Sequence, residues 1–543
     1  MVTVKERLKD KYFLASIAAS IAVIIVLRTP TSYLLLMVPV AVGLLRIALP
    51  VLKARMKSAY IDQNLLFLIA HMYAVSTGKP MRKRLFDLKC IAGDYGEYES
   101  VLKRIAVLAV EWSYGFVTAI RMIADKVRNL TFRDFLLRFS EVLRTGEEPE
   151  RFLDVEFRAL RRNFQTQYYR AMDVMRIVLG LYTTLMSSAA FVVTVMTVLM
   201  LFTGADISIY VMTIIGTSIL VAMFTAIVYV VVPKERLTPS LKPKPVKLYR
   251  KYNISTLIAV VLALIAGYYA YQSLNQLEFS LAVGSLPLVI PGLIARRIEK
   301  KIKRTESFYP IFIRSFGLTF AIIPHQTKTM QSILMSDFGP LNNALRKVYA
   351  RLTNGVDPHV AWRYFIYDTW SDLITRSTNI IIDTIDAGGN TQDTGVMLSD
   401  TFTRILDLRN LRERTARTFE ATIYLLQMLV TAIATTMIFL LQLFLQYIQA
   451  VSTTTGATGV AELFPFISAS PDLTFITNIT IAFLAFLTIV NALAIKISYG
   501  GMMETFWIQL STLLMLTSGT VAAMRFMVTN LFGGVFSIPL PST

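Results

Sequence analysis

Three glutamates within four residues, Glu147-Glu148-Pro149-Glu150, are a set that could hold a divalent cation or act as an acid–base pair. Their setting argues for less. They follow Gly146 and precede a helical pattern, so an exposed loop with acids beside the positive end of a helix accounts for them. The three histidines, His71, His325 and His359, stand apart from any metal-ligand spacing and read as core or surface residues. Cys90, the single cysteine, excludes an intrachain disulfide and a CxxC centre, and reads as an inert helix residue. There is no GxxxxGK[ST], no HExxH and no glycine-rich dinucleotide turn. No catalytic, metal or cofactor residue is therefore assigned, no cofactor is expected, and the chain does not read as an enzyme. What remains is basic charge, densest in Arg296, Arg297, Lys300, Lys301, Lys303 and Arg304, and again in Arg409, Arg412, Arg414 and Arg417.

The elements that position these groups are mostly apolar. Of 543 residues, 54% are hydrophobic and only 17% charged, and mean hydropathy is +0.54. That is the composition of a membrane protein. A helix needs about 20 apolar residues to cross the hydrocarbon core. Nine stretches qualify: Tyr12–Leu27, Ser32–Pro50, Met175–Phe202, Ile209–Val232, Ile254–Tyr271, Phe279–Ala295, Ala421–Ile448, Leu473–Ile495 and Phe506–Met524. Lysine and arginine before the first span, in the 233–253 linker and at the head of both large polar blocks fall on one side. The positive-inside bias thus places the N-terminus and both blocks in the cytoplasm and the C-terminus outside. The formal charge of +19 belongs mainly to that inner face, where it attracts anionic lipid or an acidic soluble partner. Nucleic acid is not expected, because aromatic residues do not interleave with the basic ones. No ionisable residue lies well inside a span, which counts against an ion-coupled pathway. Gln427, Gln442, Gln446, Asn478 and Asn491 are expected to hydrogen-bond between helices.

The two polar blocks repeat one another. Tyr95-Gly96, Gly115, Asp134 and Gly146 recur as Phe338-Gly339, Gly355, Asp372 and Gly388, at offsets of 243, 240, 238 and 242. A repeat of this length implies two like halves. Asn64–Val75, Val101–Ala109, Phe116–Ala124 and Phe132–Leu143 carry helical periodicity in the first block, and Phe308–Phe320, Leu341–Leu352 and Leu373–Ile385 in the second. Gly96, Gly115, Gly146, Gly339, Gly355, Gly388 and Gly389 punctuate the joins, as helix-terminating turns requiring a left-handed residue. The fold expected is all-α: a polytopic helical membrane protein with two repeated cytoplasmic helical bundles. Its divisions are 1–50 (membrane hairpin), 51–172 (first bundle), 173–232 (spans), 233–253 (basic linker), 254–295 (spans), 296–420 (second bundle) and 421–543 (spans and external C-terminus). Each bundle should end in a charged helix running unbroken into the bilayer.

This ordered set resembles the type II secretion F-domain family, the platform proteins of type IV pilus-like machines. The second repeat carries it best, through Phe308–Arg314, Phe338-Gly339, Asn354-Gly355, Asp386–Asn390 and Leu408–Arg414. The number of spans is more similar to archaeal archaellum and pilus platforms. The resemblance implies a chain that hydrolyses nothing itself. It would couple a cytoplasmic hexameric ATPase to pilin- or archaellin-like subunits entering a filament, with the lipid bilayer and a second copy, as a homodimer, as further partners. Arg409, Arg412, Arg414 and Arg417, with Glu147 and Glu148, are the expected ATPase contacts. A membrane transporter or channel is the alternative.

Overall fold

The computed structural model describes residues 63–536 except 94, 204–206, 242–245, 275–276 and 456–472. The first two expected spans lie outside the described residues. Seventeen α-helices account for the described chain, and among the described residues there is no strand. In the first repeat they are α1 (Gln63–Ser76), α2 (Arg82–Phe86), α3 (Glu97–Ala106), α4 (Phe116–Ala124), α5 (Leu130–Thr145) and α6 (Pro149–Thr203). Then come α7 (Ile207–Val231), α8 (Val246–Leu274) and α9 (Leu277–Ser285). The second repeat runs through α10 (Val289–Ile322), α11 (Gln326–Ile333), α12 (Asn342–Thr353), α13 (Pro358–Thr369), α14 (Asp372–Asp386) and α15 (Thr391–Thr455). Last are α16 (Leu473–Tyr499) and α17 (Phe506–Phe536).

Seven helical runs are long and apolar enough to cross a membrane, α9 and α10 joining through a 3-10 turn into one, Phe279–Ile322, and they coincide with the seven expected spans that fall within the described residues. Periodicity located α1, α4, α12 and α14 closely. It missed α11 and α13, whose aromatic and polar residues blur the stripe. Cys90 lies in the non-helical segment 87–92 rather than on a helix, because α14 captures that segment's backbone N–H groups, as described below.

Two helices dominate. α6 has 55 residues and α15 has 65, so they extend about 80 and about 100 Å at 1.5 Å per residue. Each begins in a polar repeat and ends in an apolar stretch. They run side by side in the same direction: Arg404 Nη1 donates to Gln165 Oε1 at 3.3 Å, and farther along Phe419 meets Tyr182 at 5.6 Å between ring centroids. α10 lies antiparallel to α15. Gly317 and Gly395 let their backbones touch, since a Cβ on Gly317 would stand 2.9 Å from the Gly395 Cα. Tyr309 packs on Phe402 at 5.0 Å. Both repeats and the spans share one continuous apolar core.

Neutral polar side chains lace the spans together. Tyr182 donates to Asn491 Oδ1 at 2.6 Å, Asn491 Nδ2 to Gln427 Oε1 at 2.7 Å, and Gln427 Nε2 to Thr488 and Thr517 at 3.0 and 3.2 Å. This ties α6, α15, α16 and α17 where lipid offers the polar groups no other partner. Gln442 makes a further bond to Thr477 at 2.9 Å.

Candidate functional site

The repeat is written into the backbone. Gly96, Gly115 and Gly146 have φ of 65°, 72° and 79°, and their counterparts Gly339, Gly355 and Gly388 have 55°, 75° and 67°. Gly388 closes α14 with a Schellman pair: its N–H donates to Ile385 O at 3.1 Å, and the Gly389 N–H donates to Thr384 O at 2.8 Å. Gly389 is not left-handed. It is glycine for space, because a Cβ there would meet Thr384 Cγ2 and Thr77 Oγ1, each at 2.7 Å. Gly78, on the facing segment, would put a Cβ 2.3 Å from the Ala387 carbonyl. The end of α1 and the end of α14 therefore touch backbone to backbone. Asn390 N–H donates to Thr77 Oγ1 at 2.8 Å, and Lys79 reaches the exposed Glu148 at 3.1 Å. Glu147 is exposed at the same tip, at the end of the long helices opposite their apolar stretches.

Below the tip, α14 grips the first repeat with one polar face. Asn379 Oδ1 accepts from the N–H groups of Ile91 and Ala92 at 3.1 and 3.3 Å, and its Nδ2 donates to Ala92 O at 2.7 Å. One turn on, Asp383 accepts from His71 Nε2 at 2.9 Å, from the Lys89 N–H at 3.0 Å, and from Arg84. A carboxylate can only accept, so Nε2 carries a proton and donates to Asp383; Nδ1 shares a hydrogen bond with Tyr95 OH, 2.9 Å away. Burial works to raise the Asp383 pKa, but the bond to His71, the Arg84 guanidinium and the Lys89 N–H outweigh it and hold the carboxyl below its ordinary value. Burial pushes the Tyr95 phenol well up. In an open cleft, Tyr–His–Asp would suggest proton transfer. Here the His71 and Asp383 side chains have 0% exposure and no substrate can reach them, so the group is a staple between repeats. At the offset of 242, Asp383 corresponds to Glu141, whose side chain is 46% exposed and pairs with Arg121 and Arg144. The grip therefore runs one way only.

A second charged group sits about 30 Å farther along α15, by 1.5 Å per residue, where the long helices meet the spans. Arg409 donates to Glu235 at 2.8 Å, Glu306 at 3.0 Å and the Arg236 carbonyl at 3.0 Å. Arg412 is buried and donates to three carbonyls: Pro233 at 2.7 Å, Ser498 at 2.9 Å and Ile497 at 3.0 Å. These lie just beyond α7 and in the last turn of α16, so one guanidinium fixes the ends of two spans to α15. A cation is favoured there by the negative ends of both helix dipoles. Gly500 and Gly501, both at φ 69°, carry the chain past it. A Cβ on Gly500 would stand 2.6 Å from the Arg412 guanidinium, and one on Gly501 2.5 Å from the Glu299 carboxylate. Glu299 also takes Lys303 at 3.0 Å and Lys496 at 3.6 Å.

The structure thus separates residues that the sequence grouped together. Glu147 and Glu148 are at the tip, and the arginines are at the junction. Arg409 and Arg412 are turned inward and engaged within the chain, whereas Arg414 and Arg417 face outward. One signal for this was present: Arg412 falls in the stripe Ile405, Leu408, Ala416, Phe419 and Ile423, all buried. No local signal marks Asp383 or Asn379, whose partners lie some 290 residues or more away in the chain.

Residues 326–445 match the family described as type II secretion system (T2SS), protein F. The match runs from the start of α11 into the apolar part of α15, covering the second repeat's glycine turns, the α14 grip and all four arginines. The chain is 27% identical over 413 residues to Flagella accessory protein J of Methanocaldococcus jannaschii, covering 72% of each. It is 24% identical over 359 residues to the protein of that name from Methanococcus voltae, covering 63% of each. The second repeat carries the type II secretion protein F domain. The chain is a multi-pass membrane protein of the assembly-platform type. No solved structure matches it. Among the described residues, no three His, Cys, Asp or Glu side chains gather as a metal site.

Proposed function

We propose that this chain is the inner-membrane platform of an archaeal type IV pilus-like machine, an archaellum or a pilus. It couples a hexameric cytoplasmic ATPase to the assembly of pilin-like subunits into a filament. The observation that carries this is the pair of unbroken parallel helices α6 and α15. A displacement applied to either repeat is delivered along them to the spans without crossing a flexible loop. The relatives named Flagella accessory protein J support a filament as the product.

In this reading there are nine spans, with the N-terminus inside and the C-terminus outside. Residues 51–172 and 296–420 are the cytoplasmic bundles that face the ATPase. Arg414, Arg417, Glu147 and Glu148 are the exposed charges offered to it, and Arg409 and Arg412 transmit force from within. Attraction to an acidic ATPase face would weaken as salt shortens the Debye length below about 8 Å. A homodimer would place two such platforms side by side.

Deleting the chain should abolish surface filaments, and the solubilised chain should retain the ATPase in a salt-sensitive complex. Wild-type filaments in the deletion strain, or an ATPase that does not bind, would reject the proposal. A cytoplasm-active reporter should work after Lys247 and fail after Thr543. The reverse result would overturn the topology.

A further inference from the structure

Gly115 lies nineteen positions after Gly96 in the first repeat, whereas Gly355 lies sixteen after Gly339 in the second. The extra residues are taken up by a widened last turn and the three-residue segment Trp112–Tyr114 that follows it. α3 widens at its end into a π-helical turn, Val107–Glu111. Trp112 N–H donates to Val107 O at 3.2 Å, Tyr114 N–H to Leu108 O at 3.3 Å, and Gly115 N–H to Ala109 O at 3.3 Å. Ser113 is held left-handed at φ 58°, a conformation costly for any residue with a Cβ. In the second repeat the same helix closes with ordinary spacing, Asn354 N–H to Ala350 O at 3.1 Å. Wide turns and strained non-glycine residues concentrate at functional positions.

The winding has a product. Trp112 is 66% exposed, Tyr114 49%, Val110 41% and Val107 38%, together at one edge of the first repeat. The second repeat has Thr353-Asn354 where this edge ends. Exposed tryptophan and tyrosine beside aliphatic residues are the composition of a binding hot spot. A tryptophan at the lipid headgroups would look similar, but ring contacts place this one elsewhere. Phe116, four residues on, stacks on Phe86 at 5.1 Å; Phe86 meets Phe139 at 5.7 Å; Phe139 stacks on Phe152 at 5.7 Å. Phe152 is in the first turn of α6, about 35 Å along the helix from Met175, where its apolar stretch begins. The edge therefore faces the aqueous side. Lys103, Arg104 and Arg121 border it, all exposed, against Glu111 as the one acid between residues 103 and 124. Lys103 and Arg121 also reach Glu99 and Glu141.

We propose that Val107, Val110, Trp112 and Tyr114 form a ridge that docks the soluble ATPase, with Trp112 entering an apolar pocket rimmed by acidic side chains on that protein. This rests on the platform reading above. The ridge belongs to the first repeat alone, so it sets which half of the platform the ATPase engages.

The test uses the full chain in membranes with the purified hexameric ATPase of the same organism. A photocrosslinking amino acid replaces Trp112, with Met335 in the second repeat, 89% exposed, as the comparison position. Position 112 should crosslink to the ATPase and position 335 should not. Crosslinks from 112 to lipid, to a second copy or to nothing, or equal crosslinking from 335, would overturn the ridge. The Trp112→Ser, Tyr114→Ser double variant should bind the ATPase at least about tenfold more weakly, the loss expected of a hot-spot pair. Equal binding by wild type and double variant overturns the ridge and leaves the platform reading standing. Absence of binding by wild type overturns both.

Discussion

Replacing Arg412 with glutamine should free the ends of two spans while leaving the fold intact. The guanidinium serves three buried carbonyls, Pro233, Ile497 and Ser498. A glutamine amide in its place can reach one of them. Two carbonyls are left wanting, and each buried unsatisfied group costs about 1–3 kcal/mol. Water reaching the helix end recovers part of that, so the net local loss is about 2–4 kcal/mol. With about 1.4 kcal/mol per tenfold change, amide exchange in Lys496–Met502 and Val228–Glu235 should quicken about 30- to 1,000-fold. The readout is hydrogen–deuterium exchange on the detergent-solubilised chain. Arg414→Gln, on the exposed side of the same helix, should change those peptides by less than about threefold. Exchange in both peptides that is the same in Arg412→Gln as in wild type would refute the reasoning that this residue fixes the span ends. Arg412→Lys keeps the charge but lacks the fork, and should fall between.

Acid should loosen the grip of α14 on the first repeat. Asp383 has a folded pKa below its ordinary value, so its stabilisation is complete above about pH 5 and is lost as pH falls below about 4, through the depressed folded value. Asp383→Asn should flatten that acid limb in proteolysis of the 84–92 segment, and an unchanged limb would count against it. Gly78→Ala should destabilise by at least about 2 kcal/mol more than Gly355→Ala in chemical unfolding, because its Cβ meets a carbonyl at 2.3 Å while Gly355 has open space and pays only for its φ. Equal effects would show that the repeats do not touch at Gly78. Gln427→Leu should cost about 1 kcal/mol in resistance to detergent unfolding, through loss of its bonds to Asn491, Thr488 and Thr517, and a more stable variant would contradict that accounting.

Much of this architecture is legible in the sequence, because the physics that sets it is local or periodic. Apolar run length gave the seven spans within the described residues, and the left-handed turns follow from glycines at repeated spacing. Helix continuity is favoured by the absence of proline between Thr391 and the apolar stretch beginning at Ala421. The contacts that decide function are of another kind. Arginine is ordinarily a surface residue, and Arg412 is inside only because two distant helix ends bring carbonyls to it. Asp383 and His71 are 312 residues apart. Nothing near either residue announces the other. Trp112 lies between two periodic segments, Val101–Ala109 and Phe116–Ala124, and a wide turn leaves no periodic trace of its own.

The one-way grip of α14 has a consequence for descent. When a duplicated unit folds against its own copy, selection stops treating the copies alike. Asp383 is sealed and bound by three partners, so almost any substitution there is costly. Glu141, its counterpart, is half exposed and held only by surface pairs, so substitution there costs far less. One half of the molecule thus keeps the fold, and the other has the outer face that tolerates change. In the machine proposed above, a ring of identical subunits would meet two unlike surfaces on such a platform. That mismatch would give the assembly a direction that neither copy has alone.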